Sequence, residues 1–173
     1  MPLTRRAVIT TPNTLIVLHS HHHGNTRRIA EAIAGVLRAD IVSPADATPD
    51  MLGRYELVGV GSGIYFGRIA GELRDWMRQL PRSSARRPAF VFSTSGLSCL
   101  TAIWHREPKR LLRQRGFEII GEFGCRGFDT VGPLWLIGGL NRRHPDAADL
   151  ARAEQFARTL LERLSAAPDN DGT

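Results

Sequence analysis

Short, continuously apolar runs alternate along this chain with stretches in which apolar residues recur every three or four positions. The first run, TLIVLHS (14–20), ends in polar residues, as a strand buried on both faces does. After Gly24, Ile29, Ile33 and Leu37 fall at helical spacing with Ala30 and Ala34 beside them, and Asn25 and Thr26 are plausible helix starters. ADIVSP (39–44) reads as a second strand and YELVGVGSG (55–63) as a third. Leu73, Trp76, Met77 and Leu80 then mark one helix face that Pro81 stops. PAFVFSTSG (88–96) is a fourth strand, 104–115 a helix interrupted near Pro108, and FEIIGEFGCRG (117–127) a fifth strand. A last helix, from about 147 to 164, puts Leu150, Ala153, Phe156, Ala157, Leu160, Leu161 and Leu164 on one face.

Strand and helix in alternation predict a parallel sheet covered by helices on both sides. The organisation expected is one domain over 14–164, an N-terminal extension at 1–13 and a disordered polar tail at 165–173. The connection 125–145, before the last helix, is long for a compact domain, and such loops are often functional.

Composition narrows the classes. The 173 residues suffice for one substantial core, and no apolar run reaches the roughly 18 residues of a membrane span. The start of the chain lacks the pattern of a secretory signal. Cys99 and Cys125 form no CxxC pair, so neither a disulfide framework nor a zinc motif is indicated, and a reduced cytoplasmic location is the simplest reading. A net charge of +6 raises nucleic acid as a partner, but the basic residues are scattered and no recognised binding module accompanies them.

Ligands of open α/β sheets bind beyond the carboxyl ends of the strands. Three strands here end in small, polar, glycine-containing loops: 20–26, 62–67 and 93–97. The first is the most distinctive, because the stretch HSHHHGNT (19–26) that contains it holds four of the six histidines and runs straight into a helix. Such a loop offers unpaired N–H groups and a positive dipole end to a phosphate, with Ser20, Asn25 and Thr26 adding side chains. Arg27 and Arg28 in the first helical turn oppose that dipole, which implies either a compensating anion or side chains directed to solvent. Other signatures fail. The single lysine, Lys109, follows Pro108 and forms no P-loop, 59–67 misses the dinucleotide fingerprint, and no GxSxG elbow exists. A serine or cysteine nucleophile at Ser98 or Cys99 would need a histidine partner that sequence does not reveal.

Together these stretches resemble the flavodoxin family. The segment 14–34 is similar to the family's phosphate-loop signature, although its loop is crowded with histidine and one residue longer. The segment 55–67 is similar to the third strand and first ring-flanking loop, 89–96 to the fourth strand and second flanking loop, and 123–157 to the C-terminal portion. The resemblance implies a flavodoxin-like three-layer sandwich with a five-stranded parallel sheet in order 2-1-3-4-5, and flavin mononucleotide (FMN) at the switch point between strands 1 and 3.

On that resemblance Ser20, His21, His22, His23, Gly24, Asn25 and Thr26 would surround the phosphate. Ser62, Gly63, Ile64, Tyr65, Phe66 and Gly67 would flank one side of the ring, and Thr94, Ser95, Gly96 and Leu97 the other, with Gly127 nearby. Tyr65 and Phe66 would offer stacking surface, unless they are two core aromatics at a strand end. Gly63 would let the backbone turn a carbonyl toward the reduced ring. The histidines are then loop residues around a phosphate, with no dedicated metal site.

The implied function is electron transfer or flavin-dependent redox chemistry with a protein or small-molecule partner. The basic charge favours an anionic one. The alternatives are a small flavin oxidoreductase of the protoporphyrinogen-oxidase type, which GVGSGIYFGRI resembles, and a flavodoxin-fold binding module without flavin.

Overall fold

A computed structural model describes residues 11–20, 24–96, 98–127 and 144–166. In chain order the elements are β1 (Thr14–His19), α1 (Asn25–Leu37), β2 (Asp40–Val42), α2 (Pro49–Leu52), β3 (Leu57–Tyr65), β4 (Arg68–Ile69), α3 (Gly71–Gln79) and β5 (Arg87–Ser95). A 3₁₀ turn (Ser98–Leu100), α4 (Thr101–Trp104), α5 (Arg106–Gln114), β6 (Phe117–Arg126) and α6 (Ala147–Ala166) complete it.

The five long-range strands pair in parallel in the order β2-β1-β3-β5-β6, which is the expected 2-1-3-4-5 arrangement. The departure is β4, two residues that turn back antiparallel on the end of β3. Alternation along each strand sends side chains to two separate cores. Leu15, Val17, Val58, Val60, Ala89 and Val91 face Leu73, Met77, Leu111 and Leu112 of α3 and α5. Ile16, Leu18, Phe90 and Phe92 face Ile29, Ile33 and Leu37 of α1 and Ala153, Ala157 and Leu160 of α6. Each fully buried large side chain contributes roughly 1.5–3 kcal/mol through removal from water.

Gly59 and Gly61 make the second core possible. A Cβ on either would stand 2.3 Å and 2.1 Å from the rings of Phe90 and Phe92, so β3 forgoes side chains where its neighbour spends aromatic ones.

Several sequence expectations shift. β3 runs two residues beyond Gly63, so Ser62 to Tyr65 are strand residues and only Phe66 and Gly67 form the turn. The helical interruption falls at His105, not at Pro108. Pro108 is the third residue of α5, ahead of the first intrahelical bond (Lys109 N–H to His105 O, 3.1 Å), where its missing N–H costs nothing. The last helix continues through Ser165 and Ala166, which were expected in the tail; residues 167–173, like 1–10, lie outside the described residues. The one-turn helix α2, capped by Thr48 with Pro49 behind it, had no periodicity to betray it.

Candidate functional site

The strand register lays out the carboxyl edge of the sheet in rows. His19 is level with Ser62, Ser62 with Ser93, and Ser93 with Gly124. The next row sets Gly63 beside Thr94 and Thr94 beside Cys125. Because neighbours in a parallel sheet share a face, the first row looks toward α3, α4 and α5, and the second toward α1 and α6.

The second row and α1 form the better-knit half. Gly24 caps α1 in the left-handed conformation (φ 65°) and supplies no side-chain acceptor, so the first-turn N–H groups have no capping side chain. Thr26 does not cap the helix. It is buried, and its hydroxyl lies 2.8 Å from that of Thr94 on β5. Gly127 donates its N–H to Ser95 O (2.9 Å), and a Cβ there would stand 3.1 Å from Asn25 Nδ2 and 3.2 Å from Thr94. The fold therefore gathers Gly24, Asn25, Thr26, Thr94, Ser95 and Gly127 from three places in the chain.

Two hydroxyls at this edge are unsatisfied. Ser20 Oγ, just past β1, and Ser95 Oγ, at the end of β5, are buried and have no hydrogen-bond partner among the described residues. Each such group costs about 1–3 kcal/mol unless something supplies one.

The first row is more occupied. Ser62 donates to Gly63 O (2.6 Å) and accepts from the N–H of Ala70 (3.0 Å), which ties the start of α3 to β3. It is a brace, and it already engages the Gly63 carbonyl. His19 turns to the α3 face, with Nδ1 3.2 Å from Glu72 and its ring edge-on to Tyr65 at 6.1 Å. Phe66 is not a core aromatic: it is 91% exposed, with φ of 48°. With Gly67 (φ 77°) it forms a two-residue turn in which both residues are left-handed, the geometry that favours Asn-Gly. Tyr65 and Ile64 are half-buried beneath it. Arg27 pairs with Glu31 at 3.8 Å while both stay exposed, so the solvent-directed reading of that arginine holds. His21, His22, His23 and Leu97 lie outside the described residues.

Two polar clusters went unread in the sequence. His105, fully buried at the α4–α5 junction, places Nε2 2.8 Å from Ser93 Oγ and Nδ1 3.3 Å from Glu122, whose carboxylate also accepts from Lys109 at 2.7 Å. Burial pushes the imidazole down to about 4, against the pull of Glu122. Burial alone would raise the Glu122 carboxyl, but Lys109 and His105 outweigh it and hold it low. The order serine, histidine, carboxylate is that of a nucleophile with its base, yet Ser93 is itself only 1% exposed. It works as a clamp joining β5, β6 and the helices. No local motif marks it, since its members are spread over 93–122.

The second cluster, His144, Asp146 and Asp149, brings three ligand-type atoms within 4.8 Å. Hydrogen bonding explains it. Asp146 accepts from Asp149 N–H (2.9 Å) and Asp149 Oδ2 from Asp146 N–H (3.0 Å), a reciprocal cap on α6, while His144 shares that Oδ2 and Arg152 takes Oδ1. Burial opposes ionisation of Asp149, but these donors prevail and lower its carboxyl. Nearby Cys125 is buried, its thiol pushed up to about 12, and both cysteines are free.

A parallel sheet whose strand order reverses between β1 and β3, with helices on both faces, defines the class: a doubly wound α/β sandwich. Within that class the chain belongs to the flavodoxin domain family, whose description residues 16–109 match. It is 41% identical over 148 residues to an uncharacterised protein of Methanocaldococcus jannaschii, covering 86% of this chain and 97% of that one. Among solved structures it is similar to oxidised flavodoxin 2 from Bacillus cereus (TM-score 0.65, 18% identity, 87% of this chain and 99% of that one). It is also similar to general stress protein 14 of Treponema denticola in complex with FMN (TM-score 0.57, 12% identity, 90% and 99%). At those identities the likeness is one of fold. No helix among the described residues is long and apolar enough to cross a membrane.

Proposed function

We propose that the chain binds FMN at the carboxyl edge of β1, β3 and β5 and serves in electron transfer or flavin-dependent redox chemistry. The observation that carries this reading is the pair of buried, unpartnered hydroxyls, Ser20 and Ser95, standing at that edge beside the uncapped start of α1. A bound phosphate and ring would supply what they lack, and membership of the flavodoxin domain family supports FMN as that ligand.

In this reading Ser20 and the first-turn N–H groups at Gly24, Asn25 and Thr26 hold the phosphate, which the dipole of α1 favours. Gly24 has open space around it, so nothing blocks the approach. Tyr65, Phe66 and Gly67 flank the ring on one side and Thr94, Ser95 and Gly96 on the other, with Gly127 closing against Asn25. Ser62 and the Thr26–Thr94 pair fix these groups in place. When bound, the flavin supplies one- and two-electron chemistry, and the chain's residues bind, orient and exclude water.

The test is a visible absorbance spectrum of the purified protein before and after addition of FMN and desalting. Retained flavin, with affinity reduced at least several-fold in Ser20→Ala and Ser95→Ala, supports the reading. No retention at micromolar FMN overturns it and leaves a flavodoxin fold that binds something else.

A further inference from the structure

Beside the β3–β4 hairpin, on its α3 side, lies an open groove of about 830 Å³ lined by His19, Tyr65, Phe66, Arg68, Glu72 and Arg74. We infer that this groove is a second binding site, for a small molecule with a flat apolar body and a carboxylate: an aromatic acid. As a binding site it stands independently of the flavin; as the place where the flavin's reaction partner sits, it rests on the function proposed above.

Arg74 is the first indication. Its Nε is buried and has no acceptor, and its nearest carboxylate, Glu107, is 3.8 Å away. Glu107 is shared with Arg78, which approaches it more closely at 3.4 Å. A guanidinium has five donors in a rigid fork and no way to lose its charge, so Arg74 keeps donor capacity that Glu107 leaves unused. Arg68, across the groove on β4, is exposed and has no acidic partner among the described residues. The one carboxylate lining the groove, Glu72, stands 3.2 Å from His19. Among the described residues lining the groove, two guanidinium groups meet one carboxylate, Glu107 lying outside the lining and shared between Arg74 and Arg78, and an incoming carboxylate evens the charge.

Phe66 is the second indication. A phenylalanine at φ 48° adopts backbone that a side chain resists, and at 91% exposure it gains nothing from burial. Asparagine or glycine would fill the same turn without either cost. An aromatic ring at such a position, with Tyr65 next to it, offers a flat apolar surface to the groove beside the two arginines, on the side away from the flavin proposed above. Aromatic walls with a few convergent charged groups are the make-up of a small-molecule site.

The experiment uses 2-naphthoate as the probe, with 2-naphthamide as its neutral counterpart, titrated calorimetrically into the protein before and after FMN loading. The expectation is saturable naphthoate binding in both forms without release of flavin, and the amide weaker by about tenfold. Arg74→Gln and Arg68→Gln each weaken naphthoate by about tenfold or more, while Arg158→Gln, an exposed arginine on α6, leaves it unchanged. The inference is overturned if naphthoate does not saturate, if the amide binds equally well, if the two groove variants bind like the wild type, or if naphthoate displaces flavin. The amide comparison and Arg68→Gln decide the matter even if Arg74→Gln fails to fold. A protein that takes up naphthoate but no FMN refutes the flavin assignment alone.

Discussion

Thr26 Oγ1 and Thr94 Oγ1 stand 2.8 Å apart, and that contact joins the first turn of α1 to the end of β5 across 68 positions of sequence. It links the expected phosphate side of the site to the expected ring side. Thr26→Val and Thr94→Val each strand a buried hydroxyl and should destabilise the fold by about 1–3 kcal/mol, with the double variant costing less than the sum. Urea titration of the four proteins checks this. Strict additivity would mean that the two hydroxyls do not act together.

His105 makes stability depend on acidity. Its imidazole is held near 4 in the folded chain against 6.5 in the unfolded one, so between those values the unfolded state carries more protons. Stability is therefore full above about pH 6.5 and falls as the pH drops toward 4, by up to about 3 kcal/mol at ~1.4 kcal/mol for each pH unit of separation. The carboxylate facing it, Glu122, is itself held low by Lys109 and His105 and so stays charged through most of that window. Denaturant midpoints measured from pH 7.5 to 4.5 should slope downward in the wild type and flatten in His105→Gln.

Gly61→Ala puts a methyl group 2.1 Å from the ring of Phe92 and should cost about 1–3 kcal/mol through overpacking. Phe92→Leu in the same chain should recover part of the loss. If the alanine variant melts like the wild type, the close approach of ring and backbone is not a constraint.

Phe66→Asn should act in opposite directions on stability and on binding. Asparagine suits the left-handed turn and removes an exposed ring, so the melting point should rise, by the equivalent of about 1 kcal/mol. Naphthoate affinity should fall in the same protein. Thermal denaturation and calorimetry on one preparation read both.

Asp146→Ala removes the acceptor for the Asp149 N–H and half of the reciprocal cap on α6. A loss of about 1 kcal/mol is expected. Chemical denaturation provides the measurement.

Much of the fold was legible because its signals are local. The buried runs around Ile16, Val60 and Val91 are continuous, and Ile29, Ile33 and Leu37 repeat at helical spacing, so strands and helices declare themselves within a dozen residues. The hairpin escaped because Arg68 and Ile69 are too few to show alternation and Phe66-Gly67 is not a usual turn pair. Of the candidate site, the glycine and hydroxyl loops were readable by type. What each hydroxyl does was not: Ser62 braces α3, Thr26 ties α1 to β5, and only Ser20 and Ser95 are left without partners. Those differences arise from which face of a strand each residue takes and what packs there. The Ser93–His105–Glu122 clamp is of the same kind, being assembled by register across three elements.

The turn between β3 and β4 has a fixed length, and that limits how this edge of the protein can diverge. Most α/β proteins acquire new specificities by growing or trimming loops. Here the pairing of Tyr65 with Arg68 leaves room for two residues only. An insertion that slipped this pairing by one residue would turn β4 over and carry Arg68 out of the groove. Relatives that keep the hairpin can therefore alter this wall only by exchanging the residues at its tip. Comparing tip identity with ligand preference across such relatives would read selection at two positions rather than along a loop.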